Sequence, residues 1–129
     1  MPKSMIEAVI VLTIMMVRTL LFKLLHFIKH PNITYQSDIR LFQKLVSNGR
    51  GNIKFDKSVT FGVWPSSNIK NGEIYIEARR NGSQITIGDN VVINNNATII
   101  SESASITIGK NTLIGPNFMC FDSDFYSIN

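Results

Sequence analysis

Asp122 and Asp124 stand two residues apart. On a strand that spacing puts both carboxylates on one face. Paired carboxylates can divide the work of a general acid and a general base. His26 and His30 stand four apart, a helical spacing that can ligate a metal. No acid or cysteine stands near them in the sequence, so they read as solvated side chains and no metal site is expected. Cys120 is the single cysteine. A lone thiol offers neither a disulfide framework nor a zinc-finger spacing and fits a reducing compartment. Cys120 falls on a recurring apolar position, so it reads as core and not as a nucleophile. Asn94, Asn95 and Asn96 form a run of three amides, the residue type that turns favour. Three matches to the glycosylation pattern, at Asn32, Asn81 and Asn96, are read as coincidence in an Asn-rich chain. No glycine-rich phosphate-binding loop is present.

The elements that must position these residues show themselves as a repeat. Ile85-Thr86-Ile87-Gly88-Asp89-Asn90-Val91-Val92-Ile93-Asn94-Asn95-Asn96 aligns with Ile106-Thr107-Ile108-Gly109-Lys110-Asn111-Thr112-Leu113-Ile114-Gly115-Pro116-Asn117, with seven of twelve positions identical. Within each copy an apolar residue recurs every six positions, as Ile87, Ile93, Ile99 and then Ile108, Ile114, Cys120. The copies lie 21 residues apart. That is three hexads and three extra residues, placed as a bulge within Ser101-Glu102-Ser103-Ala104. A degenerate earlier copy runs from Ile53 to Phe61. Each hexad gives one short strand with its aliphatic side chain pointing inward. Gly88, Gly109, Gly115 and the asparagines suit corners that need left-handed or tight backbone angles. Three strands close a coil, and stacked coils bury an aliphatic column that no single coil could bury.

The chain of 129 residues divides by composition into three segments: 1–31, 32–51 and 52–129. Residues 5–30 read as a helix that Pro31 stops. Its first half, Ala8 to Val17, is apolar and uncharged. In its second half Arg18, Thr19, Lys23, His26, Lys29 and His30 fall within one arc of about 140° at 100° per residue, with Phe22 the misfit among them. The net charge of +4 belongs to this end of the chain: residues 1–50 hold seven basic side chains against Glu7 and Asp38, the remainder six basic against seven acidic. Basic residues set among Leu, Ile, Met and Phe favour a membrane surface or a partner over nucleic acid. A span needs roughly 18 consecutive apolar residues, and Arg18 interrupts the run. The first expectation is therefore a basic amphipathic helix in the membrane interface. A true span comes second and a cleaved signal peptide third; the remaining alternative is a helix packed on the body or on a neighbouring subunit. Residues 32–51 read as a connector, with the boundary at the turn dipeptide Asn48-Gly49.

Ile87-Gly88-Asp89-Asn90, Ile93-Asn94-Asn95-Asn96, Ile100-Ser101-Glu102, Ile108-Gly109-Lys110-Asn111, Leu113-Ile114-Gly115-Pro116-Asn117 and Asp122-Ser123-Asp124-Phe125, with Phe61-Gly62-Val63 and Glu77-Ala78-Arg79, together resemble the hexapeptide-repeat acyltransferases. The subgroup they are most similar to is the bacterial cell-surface polysaccharide O-acetyltransferases, alongside the maltose and galactoside acetyltransferases. The resemblance covers residues 52–129 and excludes the helix. It implies a left-handed parallel β-helix, a homotrimer with its site between subunits, acetyl-CoA as donor, and a saccharide hydroxyl as acceptor. A histidine would be the general base, and hydrogen-bond donors would face the oxyanion.

Carried over by residue, the catalytic segment is Asp122-Ser123-Asp124-Phe125-Tyr126, with Tyr126 at the place of the histidine and Asp122 and Asp124 shaping the site. Asn94, Asn95 and Asn96 match a cluster facing the acceptor sugar; a ladder of turn asparagines accounts for them equally. Members of the family continue for several coils past this segment, and those coils supply most of the CoA groove. The expected fold is therefore one N-terminal α-helix and an incomplete, truncated left-handed β-helix. The expected place is the cytoplasm, with the helix allowing association with the inner membrane.

Overall fold

The computed structural model describes residues 3–66, 69 and 71–122. One helix, α1 (Lys3–Lys29), comes first. It ends before Pro31, which has no N–H to donate and disfavours helical backbone in the residue before it. Short strands follow in rounds of three. The first round is β1 (Ile33–Thr34), β2 (Arg40–Leu41) and β3 (Lys44–Asn48). The second is β4 (Asn52–Phe55), β5 (Thr60–Phe61) and β6 (Glu73–Ala78). The third is β7 (Gln84–Ile87), β8 (Val92–Ile93) and β9 (Thr98–Ser101). The fourth is β10 (Ser105–Ile108), β11 (Leu113–Ile114) and β12 (Met119–Phe121). Corresponding strands of successive rounds pair in parallel, giving three four-stranded sheets in a β-helix-like stack.

The register stacks like on like. Ile85 lies between Ile53 and Ile106, Ile93 between Phe61 and Ile114, and Ile99 between Ile76 and Cys120. The 21-residue offset of the repeat is the offset between rounds three and four. The aliphatic side chains of the middle rounds are fully buried, and each contributes roughly 1.5–3 kcal/mol by leaving water. The early copy at Ile53 to Phe61 is present as β4 and β5.

Residues 32–51, expected as a connector, already contain the first round. β1 pairs with β4, β2 with β5 and β3 with β6. The hexad signal is weak there because the strands are joined by irregular stretches, while Ile33, Ile39, Leu41 and Leu45 still fill the buried column. Asn48-Gly49 is a corner between rounds. Gly49 has φ of 101°, and a Cβ there would fall 2.0 Å from the Ala78 carbonyl oxygen, so only glycine fits.

The left-handed corners elsewhere differ from expectation in one respect. Asn90, Asn96, Asn111 and Asn117 have φ between 58° and 64°, whereas Gly88, Gly109 and Gly115 do not have positive φ. Asparagine tolerates this region better than other residues with a side chain. Gly88 instead gives room to the next round: a Cβ there would meet the Lys110 nitrogen at 2.8 Å.

One polar atom in the stack is out of place. Thr60 Oγ1 on β5 is buried and finds no hydrogen-bond partner among the described residues. Thr60→Val keeps the shape and removes the orphan hydroxyl. It should stabilise the protein by about 1 kcal/mol, read as a higher urea midpoint at unchanged slope. A lower midpoint would count against this account.

α1 lies over the open edge of the first round, and its polar arc faces the strands, not water. Arg18 donates to the Phe42 carbonyl and Lys23 Nζ to the Ser37 carbonyl at 2.6 Å; the Leu41 N–H donates to Thr19 Oγ1 at 3.0 Å; the His26 ring meets the Ile33 carbonyl. These are backbone groups of first-round residues, and an exposed sheet edge needs such partners. The expectation of solvated histidines is therefore corrected. His30 is 8 % exposed, with Nδ1 2.6 Å from Ser47 Oγ. Burial above all, then the neighbouring His26 and Lys29, lowers its pKa and favours the neutral ring. Phe22, the misfit on the polar arc, is buried between His30 and Tyr35 with ring centroids 5.0 and 5.1 Å away. The apolar side of α1 is left outside: Leu24 is 67 %, Phe27 85 % and Ile28 80 % exposed.

Candidate functional site

The asparagine run forms the corner between β8 and β9. Asn94 Oδ1 accepts the Asn95 N–H at 2.7 Å, a local turn that asparagine commonly makes. Asn95 is fully buried; its Oδ1 accepts the Val63 N–H at 3.1 Å and its Nδ2 donates to the Val63 carbonyl at 3.0 Å. Asn96, at φ 64°, donates its N–H to Gln43 Oε1 at 2.7 Å. Gln43 belongs to the first round and Asn96 to the third. They meet at the corner where, in the second round, eleven residues separate β5 from β6. Asn95 thus holds Val63 just after β5, and Gln43, also buried, links the first round to the third.

The three asparagines are thus brought together, and two of them are used inside the fold. Asn94 is half-buried, and its Nδ2 makes no hydrogen bond to a described residue. Asn96 is half-buried too, and with its N–H and Oδ1 engaged by Gln43 its Nδ2 likewise makes no hydrogen bond to a described residue, so Asn94 and Asn96 each keep an amide donor. Gln43 was missed in the sequence because a single glutamine in an irregular segment carries no periodic signal.

Asp122 holds a loop. Its carboxylate accepts the backbone N–H groups of Glu102 at 2.6 Å, Ala104 at 2.8 Å and Ser103 at 3.3 Å, and the Ser101 hydroxyl at 3.3 Å. These are the residues expected to form the bulge, and they join β9 to β10. Burial pushes the Asp122 carboxyl up, but the N–H groups of Glu102, Ala104 and Ser103 and the Ser101 hydroxyl together hold it below its usual value. A carboxyl whose pKa is depressed on folding adds stability above the unfolded carboxylate range, and that contribution disappears as pH falls through the folded pKa. Asp122→Asn should therefore cost about 1 kcal/mol at neutral pH and flatten the acid limb of a plot of melting temperature against pH. Parallel wild-type and variant curves would sink this assignment. Asp124 and Tyr126 lie outside the described residues, as do Ser123 and Phe125.

A second polar cluster lies on β6. Tyr75 Oη donates to Glu77 Oε1, Arg79 pairs with Glu77 Oε2, and Asn48 Nδ2 donates to Tyr75 Oη at 3.2 Å. The Arg79 guanidinium holds the Glu77 carboxyl below its usual range. Burial, then the Glu77 hydrogen bond, raises the Tyr75 phenol. Glu77 is thus an ionised acceptor already bonded at both oxygens, ill suited to taking a proton at neutral pH.

Chemically, the described residues provide hydrogen-bond donors at the Asn94 corner and a rigid parallel scaffold. Both histidines sit at the far edge with α1, engaged with the first round. No group of three or more His, Cys, Asp or Glu side chains among the described residues is arranged to hold a metal. No protein-family model matches the chain, and neither a curated protein nor a solved structure does.

Proposed function

We propose that the chain is an acetyl-CoA-dependent O-acetyltransferase module for a sugar hydroxyl of a surface polysaccharide. It would be built as a left-handed β-helix and work as a homotrimer. The observation that carries this reading is the 21-residue round, with asparagine at its left-handed corners, leading into Asp122-Ser123-Asp124-Phe125-Tyr126. In the reaction the sugar oxygen attacks the thioester carbonyl carbon and its proton passes to a base; the C–S bond then breaks, and the base returns the proton to the departing CoA thiolate. Asn94 would orient the acceptor. The base position is Tyr126, and an ordinary tyrosine is only about one part in a thousand ionised at neutral pH.

The test is release of CoA thiol and transfer of labelled acetyl groups to polysaccharide acceptors by the purified chain, with light scattering for the trimer. Transfer above the buffer rate supports the reading. Absence of both acetyl-CoA binding and transfer would overturn it.

A second reading is a non-catalytic module docked by α1. It is favoured by the helix surface: within Ser4–Lys29 the most apolar stretch has a mean hydropathy of 2.2 and is only 11 % buried. We place that surface against the cytoplasmic side of the inner membrane under either reading.

A further inference from the structure

We infer that the groove between α1 and the first round of strands binds the head group of an anionic phospholipid. The inference rests on α1 lying at a membrane, and it goes further by assigning the recognition to particular residues. The groove has a volume of about 430 Å³, within the size range of small-ligand sites. Leu21, Leu25 and Leu45 give it an apolar lining, and Arg18, Lys29 and Lys44 supply three cations. None of the residues lining it is acidic. Lys29 and Lys44 form no ion pair with a described residue. Arg18 spends one N–H on the Phe42 carbonyl and has others to offer.

The groove continues along the helix. A shallower depression at Thr13, Ile14 and Val17 shares Arg18 and Leu21 with it. Together the two run from Thr13 to Lys29, about 24 Å at 1.5 Å per residue. Beside them stand the exposed Leu24, Phe27 and Ile28. A head group at the three cations would therefore have its acyl chain directed along an apolar channel, next to a helix face suited to the lipid interior.

Charge selects this occupant over the alternatives. A second copy docked by two-fold symmetry would bring its own Arg18, Lys29 and Lys44 against these. A zwitterionic head group would leave the cations without a net counter-charge. A nucleic acid would meet leucines where it needs further donors.

The experiment is vesicle co-sedimentation of the full chain, with phosphatidylcholine alone and with phosphatidylglycerol added. The wild type should prefer the anionic vesicles. Lys29→Gln with Lys44→Gln should weaken binding to them by about thirty-fold, the effect of two cations at an anionic surface, and leave binding to phosphatidylcholine unchanged. Lys29→Arg with Lys44→Arg should restore the preference. The remote pair Lys57→Gln with Lys110→Gln, both on exposed corners, should change binding by less than about threefold, since charges beyond a Debye length are screened. Circular dichroism melts check that each variant is folded. Equal weakening by the remote pair would overturn the groove in favour of overall charge. Equal wild-type binding to both vesicles would overturn the groove and keep the membrane helix. Binding to neither would overturn both.

Discussion

Tyr126→His should raise the rate of acetyl transfer by about a hundred-fold or more. A histidine with a pKa near 6.5 is mostly neutral and ready to accept a proton at pH 7. A tyrosine near 10 is almost wholly protonated there and offers a base only through its rare phenolate. Supplying a positioned general base contributes typically about a hundred- to ten-thousand-fold, so the lower end is the conservative expectation. Initial rates of CoA thiol release at pH 7, with wild type and variant side by side, decide the matter. The variant should also acquire a rate limb that falls below about pH 6.5 as the imidazole protonates. A histidine variant no faster than wild type would remove the sequence match at Asp122-Ser123-Asp124-Phe125-Tyr126 as an argument for catalysis. It would leave the scaffold and the lipid groove untouched, because neither depends on that segment.

Phe61→Ala should cost about 3–5 kcal/mol of folding stability. Phe61 is fully buried on a two-residue strand and paired through Leu41 on one side and Ile93 on the other. Its ring packs on Phe55 with centroids 4.8 Å apart and an interplanar angle of 58°. The strands before and behind it fix the backbone, so the cavity left by the ring cannot collapse, which places the cost toward the upper end of the range. A domain of ordinary stability has about 5–15 kcal/mol in total, so the variant should be near its unfolding threshold at room temperature. Urea titrations measure the loss, with the slope held to the wild-type value as the check on two-state behaviour. Leu113→Ala is the companion control: Leu113 occupies the fourth round but is 75 % exposed, and its truncation should cost less than about 0.5 kcal/mol. Similar losses from the two substitutions would mean that the buried column is not where the stability resides.

The sequence by itself determined the repeating unit and what that unit buries. Ile87, Ile93 and Ile99 recur at six-residue intervals because each short strand must present one aliphatic side chain inward, and all three are fully buried. The three extra residues in the 21-residue offset were legible as a bulge, and β9 and β10 are indeed joined there. The helix and its stop at Pro31 were legible too, since backbone geometry at proline is a local matter. Tertiary structure alone decided which way the helix faces. A polar arc and an apolar arc look the same whether the polar side meets water or an open sheet edge. The unpaired carbonyls of Ile33, Ser37 and Phe42 and the Leu41 N–H drew Arg18, Thr19, Lys23 and His26 inward and left the apolar side outside. It decided the role of Asp122 as well, whose backbone partners lie 18 to 20 residues away and come within reach only once two rounds are stacked. The first round stayed hidden for the same reason. Its hexads are interrupted, and the order in residues 32–51 comes from pairing with β4, β5 and β6. A parallel strand of two residues has no hydrogen bonds of its own to make until a neighbour is laid beside it.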